Sequence, residues 1–242
     1  MRNEENLLVP FQVSQLPASP WLVFAPHADD ETFGMGGSLL RASRLGMETH
    51  VVVVTDGALG GDRADLVQVR NREASRATAM LGVRSLQCWT EKDRGLQINH
   101  ELIERIAGTI RDLEPASVFF PGPMELHPDH RSTALLVWAA LQSLRDDGFR
   151  PQAYAYEVSV QSPINCLIDI TAVIAVKQAA MAVYASQNSQ NDYPQLVSAL
   201  NKARTFTLPA EVEYAEGFFH FTGDDLALPL YDVMQGFFEM YR

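Results

Sequence analysis

The sequence concentrates its chemistry-bearing side chains in two short pieces. Three of the six histidines and four carboxylates fall in Pro26-His27-Ala28-Asp29-Asp30-Glu31 and His127-Pro128-Asp129-His130. One imidazole and one carboxylate from the first piece, with one imidazole from the second, would make a two-His, one-carboxylate metal site. Such a set leaves coordination positions open for water and substrate, as catalytic zinc sites require. Another carboxylate of the cluster can then serve as base toward a water that the ion has made acidic. The remaining histidine is placed to stabilise an oxyanion. A competing reading is that the acidic run caps a helix, where carboxylates are favoured by the dipole. That explains one or two acids but leaves the second, histidine-rich piece without a reason.

These pieces need a frame that brings them together. Residues 21–25 form a short apolar run of strand type, and residues 32–45 follow with a helical pattern stopped by Gly46. Four consecutive valines within residues 50–55 predict a strand buried on both faces. Further strands are predicted over 85–89 and 117–120, and helices over 65–81, 98–113 and 132–144. Strand and helix alternate four times, which makes an α/β fold with a parallel, doubly wound sheet the default. In such sheets ligands bind beyond the carboxyl ends of the strands, and both pieces directly follow predicted strands. After residue 150 the rhythm loosens: strands are predicted over 154–160 and 166–170, helices over 171–185 and 193–203, and a polar loop over 186–192. Residues 1–20 form an extended lead-in. With no internal repeat or low-complexity tract, the 242 residues are expected to form one domain with its core over 20–220.

Composition narrows the partners. The formal net charge is −11, which disfavours nucleic acid and anionic membrane surfaces, since both need clustered Lys and Arg. No apolar run approaches the length of a membrane span, and the N-terminus is acidic where a signal peptide would be basic; a cytoplasmic protein is expected. Cys88 and Cys166 match no metal or redox spacing and read as two buried thiols. The apolar stretch over 226–240 is able to pack at home or on a second copy, so a homo-oligomer stays open.

PHADDE and HPDH, each at a strand end, resemble the paired motifs of the PIG-L/LmbE-like deacetylases. The resemblance implies a Rossmann-like three-layer sandwich with a mostly parallel twisted sheet and a metal site at the C-terminal ends of the strands. It implies Zn2+, or another divalent transition metal, held by His27, Asp30 and His130. Asp29 would be the general base and later the acid that protonates the leaving amine. His127 would stabilise the oxyanion as an imidazolium held by Asp129. Weaker marks are Thr55-Asp56-Gly57, Arg70 with Glu73, Asp93, Ser186-Gln187 and Ala215-Glu216-Gly217-Phe218, so the resemblance spans residues 20–220. It places Arg70 and Asp93 at the substrate and implies hydrolysis of the N-acyl, above all N-acetyl, amide of an amino-sugar substrate. One departure is visible: Ala28 stands where the family has proline, which frees φ and restores an N–H.

Rival readings are weaker. From spacing alone, Arg70 and Glu73 read as a surface ion pair on a helix. Gly34-Met35-Gly36-Gly37 lacks the full dinucleotide spacing, and the three carboxylates before it would repel a pyrophosphate; close helix–sheet packing suits these glycines better. No G-x-S-x-G elbow is present, and Ser38 has no evident base. His50, His100 and His220 stand alone. An amidase acting on a thiol conjugate or antibiotic amide, and a non-catalytic metal-binding member of the fold, remain the alternatives. A base at Asp29 and the His127–Asp129 pair argue against the second, because a purely structural site needs neither.

Overall fold

The computed structural model describes residues 10–239. Its strands are β1 (Trp21–Ala25), β2 (Thr49–Thr55), β3 (Ser85–Glu91), β4 (Ser117–Pro121), β5 (Gln152–Tyr156), β6 (Cys166–Asp169) and β7 (Ala215–Phe221). They form a seven-stranded sheet in the order β3-β2-β1-β4-β5-β7-β6. Strands β1 to β5 pair in parallel, and β7 runs antiparallel to both of its neighbours. The helices are α1 (Asp30–Arg44), α2 (Leu66–Met80), α3 (His100–Leu113), α4 (Pro128–Asp146), α5 (Ile174–Ala182), α6 (Ala185–Asn188), α7 (Tyr193–Ala203) and α8 (Leu230–Glu239).

Side-chain alternation along the central strands builds two cores. Trp21, Val23, Val51 and Val53 pack with Leu39 of α1, Ala77 of α2 and Met181 of α5 on one face. Leu22, Phe24, Val52 and Val54 pack with Ile106 of α3, Trp138 of α4 and Val233 of α8 on the other. This is why the valine run shows no alternation: both faces of β2 are covered. Leu226, Leu230, Val233 and Phe237 are buried in the second core, so this much of the 226–240 stretch packs at home; residue 240 lies outside the described residues. Residues 1–9 of the lead-in, including most of the acidic N-terminus, also lie outside them. The rest of the lead-in is tied to β6, with the Ser14 N–H donating to Leu167 O at 2.7 Å. Among the described residues no helix is long and apolar enough to cross a membrane.

Four details depart from the sequence expectation. β7 is not expected from the sequence: AEGFFHF carries no clean apolar–polar period, because it is inserted between β5 and β6 with both faces covered. β5 ends at Tyr156 because the chain then turns so that the N–H groups of Val158 and Ser159 reach Glu125. The helix expected over 171–185 is a 3-10 turn at Thr171–Val173 followed by α5. The loop expected over 186–192 begins inside the single turn α6.

Helix α1 is broken at Met35, whose φ of −143° and ψ of 21° lie outside the helical range. The break frees backbone groups that a buried ion pair satisfies. Glu216 of β7 accepts from the Gly37 N–H at 2.8 Å and the Ser38 N–H at 2.7 Å. Lys177 of α5 donates to Phe33 O at 2.8 Å and to Glu216 at 2.7 Å. Both charged side chains are fully buried. The glycines around the break allow the close approach: a Cβ on Gly34 would lie 2.4 Å from the Tyr156 ring, and one on Gly37 2.6 Å from Ile170. The packing reading of this glycine cluster therefore holds. Lys177→Met strands the Glu216 carboxylate without its cation and should lower unfolding free energy by about 3–5 kcal/mol. Urea titration checks this, and the Lys177→Met/Glu216→Gln double variant should recover part of the loss.

Candidate metal centre and active site

Sheet order reverses between β1 and β4, and the two histidine-bearing pieces leave the sheet side by side at that switch point. After β1, Pro26 O accepts from the N–H and hydroxyl of Thr55, at 2.9 and 2.8 Å, which pins the turn to β2. The turn ends at Asp29, with φ of 143°, a conformation that non-glycine residues rarely adopt. Its neighbours hold it there. The Asp29 N–H donates to Glu31 at 3.2 Å, and Asp29 O accepts from the N–H groups of Thr32 and Phe33 at 3.0 and 2.8 Å. Glu31 is fully buried and is gripped in turn by Thr32 at 2.6 Å and by a short hydrogen bond from the Tyr184 hydroxyl.

The carboxylate of Asp30 lies between two imidazoles. Its Oδ2 is 3.1 Å from His27 Nδ1 and 3.2 Å from His130 Nε2. Each imidazole turns its other nitrogen to a further carboxylate. His27 Nε2 is 3.2 Å from Asp129 and 3.4 Å from Asp93, and His130 Nδ1 is 3.6 Å from Glu125. Asp129 is oriented by the N–H groups of Arg94 and Leu96, at 2.7 and 3.4 Å. Burial alone would lower both histidine pKa values, but the surrounding carboxylates outweigh it. They lift His27 well above its ordinary value and His130 to about 9. Asp30 answers in kind: burial raises it, and the two imidazoles hold it well below the carboxylate range.

His127 is the N-cap of α4, and its Nδ1 accepts from the Asp129 N–H at 3.2 Å. This corrects the expected arrangement. The Asp129 carboxylate serves His27, and its backbone serves His127. With Nδ1 accepting, the neutral ring carries its proton on Nε2, where it can still donate to an oxyanion. Burial, with the charges on His27 and His130, lowers the His127 pKa and favours that neutral form.

Arg70 is buried and donates to Gly57 O at 3.3 Å, Ala28 O at 3.0 Å and Asp29 Oδ2 at 3.3 Å. Much of its fork is thus committed to holding the turn at Asp29, although it also lines the cavity. Glu73 is not its partner: it accepts from the Ser186 N–H and hydroxyl at 2.9 and 2.6 Å. The surface ion pair expected from spacing is replaced by two buried anchors for two different loops. Asp93 accepts from the Leu59 N–H at 2.9 Å; burial raises its pKa, but His27 and that N–H bring it down to about 2. Asp29 is pushed by burial up to about 7, against the pull of Arg70. His50 bonds Ser85 at 2.7 Å, and His220 stacks on Tyr154, both away from this cluster.

The cluster offers donors for a metal ion. Asp30 Oδ2 is 3.1 and 3.2 Å from the two imidazoles, but the donor sets whose atoms all lie within 4.8 Å of one another do not include it. His130 Nδ1 is buried without a hydrogen-bond partner, pointing at Glu125, and His27 is backed by Asp129. Metal-bound histidines are held by such outer carboxylates. Nitrogen atoms of His27, His127 and His130 lie within 4.8 Å of one another, as do single donor atoms of His27, Asp93, His127 and Asp129. Glu125 and Tyr184 were not singled out from the sequence; a lone acid in the PGPMEL turn was the one trace of the first.

Residues 22–141, from β1 into α4, match the family described as PIG-L, GlcNAc-PI de-N-acetylase. Over that stretch, just under half of the chain, the sequence resembles this family. It is 27% identical over 205 residues to a probable N-acetyl-alpha-D-glucosaminyl L-malate deacetylase 2 of Bacillus anthracis, covering 77% of this chain and 83% of that one. It is 29% identical over 186 residues to the diacetylchitobiose deacetylase of Thermococcus kodakarensis, 69% of each chain. The solved N,N'-diacetylchitobiose deacetylase of Pyrococcus horikoshii superposes with a TM-score of 0.75 at 26% identity, covering 88% of both chains. The relatives are deacetylases, and this chain shares the mostly parallel α/β architecture of the solved one.

Tyr184→Phe removes one of the hydrogen bonds that hold the buried Glu31. Unfolding free energy should fall by about 1–3 kcal/mol, the usual cost of leaving a buried polar group short of a partner. Chemical denaturation with tryptophan fluorescence measures it, and an unchanged midpoint would mean that Thr32 and the Asp29 N–H suffice.

Proposed function

We propose that this protein hydrolyses the N-acyl amide, above all an N-acetyl amide, of an amino-sugar substrate, releasing a carboxylic acid and a free amine. The observation that carries the reading is Asp30 set between His27 and His130, with Asp29 beside it and His127 across the same cavity. His27, Asp30 and His130 would hold zinc or another divalent transition ion. The set containing Asp30 is preferred over three imidazoles because it places anionic charge directly between the two histidines. Such an ion supplies a Lewis acid and makes water a nucleophile at neutral pH.

The chain's own groups do the rest. Asp29, anchored by Arg70 and by its N–H to Glu31, takes a proton from the attacking water. His127 Nε2–H donates to the oxygen of the tetrahedral intermediate, fixed in that role by the Asp129 N–H on its other nitrogen. Asp29 then returns its proton to the departing amine nitrogen, and the C–N bond breaks. Asp129 and Glu125 keep the two imidazoles oriented toward Asp30. The polar side of the cavity, with Arg70, Asp93 and Gln187, faces the sugar hydroxyls.

Asp29→Ala should lower turnover of an N-acetylglucosaminide by about a hundredfold or more, with one zinc per chain retained by atomic emission. Near-full turnover would remove Asp29 from the role of base. His27→Ala and His130→Ala should each lose the ion on dialysis; stoichiometric zinc in either would count against the ligand set.

A further inference from the structure

Helix α7 carries Tyr193, Leu196, Val197 and Leu200, the i, i+3, i+4, i+7 spacing of a single apolar stripe. A helix on the surface of an α/β domain normally buries such a stripe against the sheet. Here Val197 and Tyr193 pack against the first core, yet all four side chains also line the cavity that contains His27, Asp29, Asp30 and His130. Phe33 and Val158 extend this wall, and the Phe33 ring lies 6.0 Å from that of Tyr193. Val197 is 5% exposed, whereas Leu196, on the same stripe, is 50% exposed. Leu126, next to His127, lines the same cavity and is 72% exposed. Scattered exposed leucines need no explanation. A helical stripe that is continuous with a charged metal-type cluster, inside a cavity of about 530 Å³, does. The cavity is divided: Gly60, Arg70, Asp93, Gln187 and Gln190 make a polar side, and the α7 stripe makes an apolar one. An N-acetyl sugar alone would use the polar side and leave the stripe wetted.

We infer that the substrate carries an alkyl or aryl arm on its amino sugar, and that this arm lies along the α7 stripe while the sugar hydroxyls face the polar side. The inference rests on the amide-hydrolase reading above and adds a substrate class to it. Burying such an arm removes apolar surface of both partners from water, at a gain of about fourfold in affinity for each methylene fully covered. The arm can be attached through the acyl group or through the glycosidic oxygen, and the two attachments present the same chemistry to the wall.

Two series of compounds separate these sources. One lengthens the acyl group of a methyl glucosaminide from acetyl through butanoyl to hexanoyl. The other keeps N-acetyl and lengthens the aglycone from methyl through butyl to hexyl. With the zinc-loaded enzyme, kcat/KM should rise with chain length in one series, by about fourfold per covered methylene. Leu196→Asp and Leu200→Asp should flatten that slope. In parallel, calorimetry compares methyl with hexyl glucosaminide, and acetate with hexanoate, as ligands of the wild-type protein; the six-carbon member of the pair that matches the rising series should bind more tightly by tens-fold or more. Flat or falling kcat/KM in both series, with the methyl N-acetylglucosaminide still turned over, overturns the inference and leaves the deacetylase reading intact. Absence of hydrolysis throughout overturns the deacetylase reading. The calorimetric comparison then decides alone: tighter binding of the six-carbon member in either pair that is lost in Leu196→Asp keeps the apolar wall as a binding surface, and equal binding within both pairs removes it.

Discussion

The structure depends on β1 lying in parallel register against β4, with Trp21 opposite Ser117 and Val23 opposite Phe119. Nothing local links the two strands; β2, β3 and their helices intervene in the chain. Their pairing puts the ends of two distant segments at the point where the sheet order reverses, and each segment delivers its imidazole within about one strand spacing of the other. The pairing is secured by cores on both faces, so the register cannot slip without moving every side chain of β1 to the wrong side. The precision of the site is inherited from that constraint.

What the register brings together is electrostatically lopsided. Asp29, Asp30, Glu31, Asp93, Glu125 and Asp129 are buried around His27, His130 and Arg70. Acids outnumber bases, and few of these groups reach solvent. Isolated buried carboxylates are expensive, and they persist when each has donors or a cation. Glu31, Glu125 and Asp129 are satisfied by hydroxyl or backbone donors. Asp30 has two imidazoles and no other anchor of that strength than the His27 N–H at 2.9 Å. A helix N-terminus at each piece adds partial positive charge, which stabilises the acids but neutralises none of them.

Much of this was legible beforehand because it is encoded in local patterns. The alternating strands and helices of residues 21–145, the uniform valines of β2, and the two clustered motifs all carry their own signal. The parts that were not legible depend on contacts between segments with no shared pattern. β7 hides its strand character because both of its faces are covered and its buried positions include Glu216. Glu125 reads as one acid in a turn until the N–H groups of Val158 and Ser159 are seen to converge on it. Arg70 and Glu73 have the spacing of a helix ion pair, and burial redirects each to a different loop. Asp129 sits next to His127 in sequence, yet its side chain points to a histidine one hundred and two positions earlier.

The break in α1 joins the stability of the fold to the shape of the cavity. Glycines on either side of Met35 let the helix approach Tyr156 and Ile170 more closely than any side chain would permit. That approach costs regular hydrogen bonds, and Lys177 and Glu216 offset the loss from the far side of the helix. Phe33 stands at the junction. Its carbonyl is held by Lys177, its N–H by Asp29 O, and its ring faces Tyr184 and Tyr193. One residue thus shares backbone contacts with the strained turn of Asp29 and ring contacts with the apolar wall of α7. Any movement of the break would shift both sides of the cavity together, which explains why so costly a buried ion pair is spent on a short stretch of helix.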